Sequence, residues 1–384
     1  MSETSKAKEK DHSRRHRFLF ALLRPIGFLV ARLKFGYTFE RMPKLNEQFI
    51  LLSNHVTDFD PILVGLALHG QAYFVASEHI SRWKVFPILK FIFDPILRYK
   101  GTVGAYTVRD MLKRIKEGKN LAFFPEGVRT FDGVTCPILP STGRLIKRSG
   151  SALVTYKLQG GYFCSPNWGE KNFRKGYFHG SVVHVVSSAE LKAMSEEEVN
   201  RLICDDLYED AYATQARLRK KYKGKNLAER LENVLFICPK CQGRLTMHSS
   251  VSKVTCAHCG FSSEYNEYGD LTGPYRTVRD WAVWEREVLK EMAVHGEDLE
   301  SPSAVLYNVH DGAETLVSEG KVSLGAGVLR VGDVSMPLSE ISDMEIHGQH
   351  EVVFPRGKEY HELHLGDGVG ALPFLWLFKA YKQL

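Results

Sequence analysis

The chain begins with a polar segment and changes abruptly to an apolar one. Residues 1–17 are polar and charged, which predicts a disordered basic tail. Residues 18–47 are largely apolar, but Arg24-Pro25 interrupts them and the apolar part is too short to span a bilayer. Basic residues flank this stretch, which is typical of helices that lie in a membrane interface. A helix packed on the protein's own core produces the same pattern, so both interpretations stay open.

From residue 48 the pattern changes to short apolar runs alternating with helical periods. The runs FILLS, AYFVA, LAFFP, ALVTYKL and GSVVHVV predict buried strands, and VRDMLKRIKEGKN predicts an amphipathic helix. Strands separated by helices indicate an α/β domain with much parallel pairing over residues 48–190. Within it, RWKVFPILKFIFDPIL is strongly apolar, so it predicts either a core helix or a second membrane-facing surface.

The second half of the chain contains a different set of patterns. Residues 191–235 predict a charged helical linker, in which Ser195 and Glu198 have the spacing of a capping box. Residues 275–295 predict one more helix. Residues 303–384 alternate in polarity and end in an apolar helix, a pattern similar to a pleckstrin-homology-like β domain.

Four of the seven cysteines form two closely spaced pairs. CPKC contains Cys238 and Cys241, and CAHC contains Cys256 and Cys259, with fourteen residues between the pairs. Each C-x-x-C places two thiolates on one tight knuckle, and two knuckles complete a tetrahedral site. Residues 236–268 therefore predict a zinc ribbon. Because four thiolates fill the coordination shell, we expect a structural zinc, with His258 at the surface, and a reducing compartment.

Composition restricts the partners more than the fold. The 384 residues are 44% hydrophobic and 25% charged, which is ordinary for a globular protein of two or three domains. The net charge of +6 is too small to demand nucleic acid, but it suits an anionic membrane surface or a phosphorylated substrate. The ribbon lacks a dense basic and aromatic patch, so no nucleic-acid partner is expected.

The segment NHVTDFDP, residues 54–61, lies between two apolar runs. An imidazole oriented by a carboxylate can take a proton from a hydroxyl, so His55 with Asp60 is a candidate catalytic pair. The alternative is structural, because Asp60-Pro61 also suits the start of the helix PILVGLALHG. The segment alone does not decide between the two.

A second polar segment, FFPEGVRT, follows about seventy residues later. A predicted strand ends at Pro125, and a turn with Glu126 and Gly127 follows. Glycine permits a positive φ or a close approach of the backbone. Arg129 supplies a planar fork suited to phosphate. The structural alternative is a plain turn at the end of a strand.

Together the two segments resemble the glycerolipid acyltransferase family, which includes the lysophosphatidic acid acyltransferases. Its members carry NHxxxxD and then FPEGxR[ST] at this distance. The first motif is matched by Asn54, His55 and Asp60. The second is matched by Phe124, Pro125, Glu126, Gly127, Arg129 and Thr130. The resemblance extends over about residues 40–190.

The resemblance implies transfer of a fatty acyl group from acyl-CoA or acyl-carrier protein to a glycerol hydroxyl of a lysophospholipid, 1-acyl-glycerol-3-phosphate in particular. It implies no redox cofactor. His55 is then the general base and Asp60 orients it. The expected acceptor-binding residues are Asn54, Glu126, Gly127, Arg129, Thr130 and Lys100. Such an enzyme is expected to lie peripherally on the cytoplasmic face of a membrane, with the phospholipid surface as its partner.

Two positions depart from the family pattern. The family usually has a phosphate-binding arginine where this chain reads LRYKGT, so that Tyr99 stands near the expected place and Arg98 or Lys100 is the substitute. The strand LVTYKL has Thr155 where proline is common. Both departures concern acceptor recognition rather than the base. The alternative function is a catalytically weak module that binds a lipid or a partner at the membrane.

Overall fold

The structure is a computed structural model that describes residues 13–98, 105–169, 173–310, 313–366 and 368–384. It contains an N-terminal α/β domain, a cysteine-containing hairpin unit and a C-terminal β-sheet domain. The α/β domain and the β-rich C-terminal region expected from the sequence are both present. Most of the predicted tail lies outside the described residues, as do Tyr99 and Lys100.

A seven-stranded sheet forms the centre of the α/β domain in the described part of the chain, with strand order β1-β7-β6-β2-β5-β3-β4. Only β6 and β7 pair antiparallel; the other neighbours are parallel. The strands are β1 (Tyr37–Phe39), β2 (Phe49–Ser53), β3 (Tyr73–Ser77), β4 (Ile96–Arg98), β5 (Leu121–Phe123), β6 (Ala152–Gln159) and β7 (Phe178–Val186).

Helices cover both faces of this sheet, as a parallel sheet requires. They are α1 (Ser13–Phe35), α2 (Asp60–Ala67), α3 (Phe86–Phe93), α4 (Ala105–Lys116), α5 (Ser141–Ser149), α6 (Gly161–Cys164), α7 (Ser188–Ala193), α8 (Glu196–Leu207) and α9 (Ala211–Leu218). All five residues of β2 are buried, which explains its continuous apolar sequence. Because β2 and β5 are parallel neighbours, the segments that follow them meet at one edge.

The predicted linker, residues 191–235, is not a linker in the structure. Helix α8 packs on β6 and α5, with Val199, Ile203 and Leu207 fully buried in the core on that side of the sheet. Its start confirms the capping box: Ser195 accepts the backbone N–H of Glu198, and the Glu198 carboxylate accepts that of Ser195. The many charged residues in this part of the sequence obscured the apolar residues by which α8 packs on the sheet.

Helix α1 is a single helix that continues through Pro25. The predicted helical segment 18–47 ends earlier than expected, because residues 37–39 form β1 beside β7. Large apolar side chains on α1, α2 and α3 are exposed, and α1 packs on the other two helices. They include Phe18, Leu22, Ile26, Leu29, Val30, Leu33, Ile62, Ile88 and Phe91, and Trp83 and Val85 are exposed just before α3. Among the described residues, none of the helices has the length and apolarity needed to cross a bilayer.

The cysteine-containing unit is a three-stranded antiparallel sheet. Its strands are β8 (Met247–Ser250), β9 (Lys253–Cys256) and β10 (Ser262–Glu264). Side chains of the following helix, α10 (Val278–His295), bind the backbone at the start of this unit. The indole of Trp281 donates to the carbonyl of Ile237 at 3.0 Å, and the buried carboxylate of Glu285 accepts the backbone N–H groups of Phe236 and Ile237 at 2.7 Å each.

The C-terminal domain is a seven-stranded antiparallel sheet with order β14-β13-β12-β11-β17-β16-β15, counted over the described residues. Its strands are β11 (Leu299–His310), β12 (Ala313–Gly325), β13 (Val328–Val331), β14 (Val334–Pro337), β15 (Glu345–His347), β16 (Glu351–Arg356) and β17 (Glu359–Leu365). Helix α11 (Leu372–Tyr381) is buried along most of its length and packs against α10. The pleckstrin-homology-like assignment stays a prediction.

Candidate active site

The loop between β2 and α2 brings the predicted catalytic pair together. Nδ1 of His55 lies 2.8 Å from Oδ2 of Asp60. Asp60 is fully buried, while the His55 side chain is 20% exposed. Because the carboxylate binds Nδ1, the other ring nitrogen, Nε2, is the one that can take a proton. The imidazole stacks on Phe124, with ring centroids 4.4 Å apart, so its plane is fixed from a second side.

Asp60 does not cap α2 as the structural alternative proposed. Phe59 occupies the N-cap position, and Asp60 is the first residue of the helix. The Asp60 carboxylate instead turns back on the loop and accepts the backbone N–H groups of Val56 and Thr57 at 2.6 and 2.9 Å, and the Thr57 hydroxyl at 2.6 Å. These bonds fix the carboxylate relative to His55.

Asn54 fastens the start of this loop to the sheet. Its side chain is 1% exposed. It donates to the carbonyl of Leu158 at 2.9 Å and accepts the backbone N–H of Leu158 at 2.7 Å. Both bonds join the end of β2 to β6. This is a positioning role, which differs from the contact with the acceptor that the sequence predicts.

Glu126 ties the second motif to the first. One carboxylate oxygen accepts the backbone N–H of His55 at 2.6 Å, and the other accepts that of Cys136 at 2.5 Å. Burial raises the pKa of Glu126 to about 8, while the two backbone donors oppose that rise. Glu126 therefore positions the base through its backbone, and its predicted contact with the acceptor stays a prediction.

The turn after Glu126 favours glycine at position 127. Gly127 has a φ of +73°, which favours glycine, and a Cβ built there would lie 2.5 Å from Nη1 of Arg98. The guanidinium of Arg98, at the end of β4, thus lies against this turn. The structure brings Arg98 to the second motif, whereas Lys100, the residue predicted from the resemblance, lies outside the described residues.

Arg129 and Thr130 follow the turn and have different surroundings. Nε of Arg129 lies 3.1 Å from Oδ1 of Asp58, and the Asp58 side chain is 72% exposed. Thr130 is 2% exposed; its backbone N–H donates to the carbonyl of His55 at 3.1 Å and its hydroxyl to that of Val134 at 2.6 Å. Arg129 keeps access to a ligand, and Thr130 binds the two motifs to each other.

Thr155, the second departure from the family pattern, does not face the His55 loop. Its hydroxyl donates to Asp206 on α8 at 2.6 Å, and Asp206 also binds Nδ1 of His184 at 2.7 Å. The expectation that this departure alters acceptor recognition is therefore not supported by its contacts. It joins β6, β7 and α8 instead.

The four patterned cysteines converge as a metal site. Their sulfur atoms all lie within 4.8 Å of one another. The Sγ atoms of Cys238 and Cys259 are 3.6 Å apart, and those of Cys241 and Cys256 are 3.8 Å apart. Zinc–sulfur bonds of about 2.3 Å in a tetrahedron give sulfur–sulfur distances near 3.8 Å, so the quartet could bind zinc. His258 is not part of the cluster.

The geometry places an oriented imidazole at the carboxyl edge of a mostly parallel sheet, where the second motif binds its backbone and Arg98 and Arg129 lie at the Gly127 turn. The family model described as Acyltransferase matches residues 35–161. This match spans both motifs and agrees with the family resemblance that they show.

A solved structure gives a further comparison. The chain is similar to the 1-acyl-sn-glycerophosphate (LPA) acyltransferase PlsC from Thermotoga maritima, with 17% sequence identity and a TM-score of 0.45. The match covers 55% of this chain and 84% of that one.

Some contacts at the site carried no signal in the sequence. Phe124 was matched to the family motif, but its stacking on His55 follows from the parallel pairing of β2 and β5. Arg98 also binds Glu345 of the C-terminal sheet, with Nη2 2.9 Å from Oε1. That pair joins residues far apart in the sequence, so neither periodicity nor spacing could indicate it.

Proposed function

We propose that this protein is an O-acyltransferase that moves a fatty acyl group from an acyl thioester to the glycerol hydroxyl of a lysophospholipid. The observation that carries the proposal is the His55–Asp60 pair. Asp60 holds the imidazole at Nδ1, and Glu126 of the second motif accepts the backbone N–H of His55. The donor is acyl-CoA or acyl-carrier protein, and the acceptor is 1-acyl-glycerol-3-phosphate.

In the proposed reaction, Nε2 of His55 takes the proton of the acceptor hydroxyl as its oxygen attacks the thioester carbonyl. The tetrahedral intermediate then collapses, the C–S bond breaks, and the leaving thiolate takes the proton from the imidazolium. Asp60 stabilises the positive charge that forms on the ring. Burial raises the pKa of the Cys136 thiol well above its usual value, so this thiol next to Glu126 is a poor nucleophile and a direct transfer is favoured.

Two arginines support a phosphate-bearing acceptor. Arg98 lies against Gly127, and Arg129 is two residues further along the same turn. A guanidinium suits the bidentate recognition of a phosphate group. The exposed partner of Arg129, Asp58, can be displaced by a more highly charged anion at little cost, because surface ion pairs contribute only about 0–1 kcal/mol.

The exposed apolar face of α1, α2 and α3 supports a membrane-surface location. Basic residues lie on α1 among the apolar ones, and Arg15 stacks on the exposed Phe91 of α3. Phe59 of the catalytic loop packs on Phe35 at the end of α1. A helix that lies on the bilayer would therefore bring the loop near the headgroups, where both amphiphilic substrates reside. We infer a peripheral protein on the cytoplasmic face.

A substrate panel tests this proposal. The full-length protein is incubated with vesicles, with acyl-CoA or acyl-carrier protein as donor and with lysophospholipids that differ in head group, and the released thiol is followed. We expect thiol release with 1-acyl-glycerol-3-phosphate and less with a zwitterionic head group. Release that is independent of the acceptor would overturn the proposed acyl transfer, and a preference for an uncharged acceptor would overturn the phosphate assignment alone.

A further inference from the structure

A polar interface joins the acyltransferase domain to the C-terminal sheet. A short 3₁₀ helix after β3, Glu78–Arg82, faces strands of that sheet. Arg82 binds both carboxylate oxygens of Glu362 on β17, at 3.1 and 2.9 Å. The Glu362 side chain is 1% exposed, so the pair lies inside the contact between the domains.

Carboxylates outnumber arginines among the described residues of this interface. Five carboxylates and two arginines meet there among the described residues: Glu78, Glu314, Glu345, Glu351 and Glu362 with Arg82 and Arg98. Burying an uncompensated carboxylate is costly unless a cation or a proton neutralises it. Arg82 pairs with Glu78, Glu314 and Glu362, and Arg98 pairs with Glu345. Glu351 lies beside two histidines instead.

Three potential metal ligands lie together in the same interface. His347 and Glu351 are directly opposite each other on β15 and β16, and His79 comes from the 3₁₀ helix. The imidazole centroids of His79 and His347 are 4.8 Å apart. One ligand atom from each of the three residues lies within 4.8 Å of the other two. Nδ1 of His79 is buried, and no described residue hydrogen-bonds it.

A neighbouring cluster serves as an internal contrast. Glu314, Glu362 and His364 also converge, but Arg82 binds both carboxylates. Burial opposes ionisation of Glu362, yet the nearby His364 imidazole and the hydrogen bonds from Arg82 lower its pKa to about 2. An arginine therefore already compensates the charge of this second cluster, and a metal ion there would have to displace it.

We propose that His79, His347 and Glu351 bind a divalent transition-metal ion of the zinc type between the two domains. Two imidazoles and one carboxylate are a donor set that zinc accepts, and the fourth position is then open to water. Metal–ligand bonds of about 2.0–2.2 Å require the three side chains to converge by roughly 1 Å. The ion would add positive charge where the carboxylate excess lies.

The site would also tie the C-terminal sheet to the catalytic domain. His347 and Glu345 are two residues apart on β15, and Glu345 binds Arg98 beside the Gly127 turn. An ion held by His79 and His347 therefore fixes the strand that presents Glu345 to this arginine. This link between the metal site and Arg98 rests on the proposed function, whereas the metal site itself does not.

Zinc titration of the full-length protein tests the site without using activity. The protein is purified with its metal content measured by atomic emission, and further Zn²⁺ is added in a calorimeter. We expect one equivalent to bind beyond the cysteine quartet. Because changes outside the ligand shell already cost about 10–100-fold in metal affinity, His79→Gln and Glu351→Gln should each weaken this equivalent at least about tenfold. The control Glu314→Gln should leave it unchanged.

Cobalt distinguishes this site from the cysteines. The second equivalent of Co²⁺ should add weak visible bands without thiolate charge transfer. The two variants come from different domains, so a folding defect in one leaves the other informative, and circular dichroism checks both. The proposal is overturned if wild type binds no second equivalent, if both variants bind it as wild type does, or if the second equivalent adds thiolate charge transfer.

Discussion

Arg98 donates to Glu345 across the domain interface at 2.9 Å while its guanidinium lies against the Gly127 turn. A carboxylate of the C-terminal sheet thus occupies a side of the arginine that an acceptor phosphate would use. The Arg98 side chain is 33% exposed, so a ligand can reach it.

If Glu345 and the acceptor phosphate compete for Arg98, substitutions of Arg98 and of Glu345 should change the acceptor KM in opposite directions. Arg98→Ala should raise the KM for a phosphate-bearing acceptor by about tenfold, since a charge-assisted hydrogen bond is worth about 1.5–3 kcal/mol. Glu345→Gln should lower it about two- to fivefold, in line with the modest strength of a partly exposed ion pair. Initial rates at varied acceptor concentration measure both. If neither variant changes KM, Arg98 does not bind the acceptor.

The Gly127 turn predicts that two glycine variants will lose similar stability but differ in their KM for the acceptor. Gly127→Ala should lower the free energy of unfolding by about 1–2 kcal/mol because of its positive φ, and should raise KM because the new Cβ displaces Arg98. Gly118→Ala is the matched control: its φ is +76°, and no described atom lies within 4 Å of its Cβ position. Thermal unfolding and acceptor kinetics are measured for both.

The two glycine variants should share the loss of stability and differ in KM. Equal KM values for Gly118→Ala and Gly127→Ala would mean that the close approach of Arg98 has no part in binding.

Glu126 predicts a pH dependence of stability. Burial raises its pKa in the folded protein to about 8, above the value of about 4.3 in an unfolded chain. A raised pKa contributes stability that is present at low pH and lost as the pH rises from about 4.5 to 8. Across this window the melting temperature of wild type should fall relative to that of Glu126→Gln. A difference that stays constant from pH 5 to 8 would contradict a raised pKa.

The cysteine quartet predicts a structural effect of metal loss. Cys259→Ser should lose the ribbon zinc and lower the melting temperature by about 5 °C or more, because the knuckles lose their cross-link. Cys204→Ser removes a thiol outside the quartet and should change neither metal content nor stability appreciably. Metal analysis and calorimetry test the pair. Full zinc content in the folded Cys259→Ser protein would place the metal elsewhere.

Local signals in the sequence predicted much of the fold. The continuous apolar run of β2, the capping box at Ser195 and Glu198, and the helix α10 all depend on neighbours along the chain. The His55–Asp60 pair belongs to the same class, since its members are five residues apart and one loop contains both.

Long-range pairings explain what the sequence did not predict. Asn54 binds Leu158 at a separation of 104 residues, and Arg98 binds Glu345 at a separation of 247. Polar residues with such distant partners leave no periodic pattern in the sequence. The role expected for Asn54, contact with the acceptor, therefore came from the family resemblance alone. Helix α8 was interpreted as a linker because its exposed charges outnumber the three residues that anchor it.

Thioester turnover by loop variants tests the central claim most directly. Full-length wild type, His55→Ala, Asp60→Asn and the control Asp58→Asn are compared with acyl-CoA and 1-acyl-glycerol-3-phosphate, after circular dichroism has verified their folding. His55→Ala should lower kcat about 10³-fold or more and Asp60→Asn about 10²-fold, as expected for loss of a general base or of the group that orients it. Asp58→Asn, whose side chain is exposed, should keep kcat within about threefold. A folded His55→Ala protein that retains wild-type acyl transfer would contradict the assignment of His55 as the base.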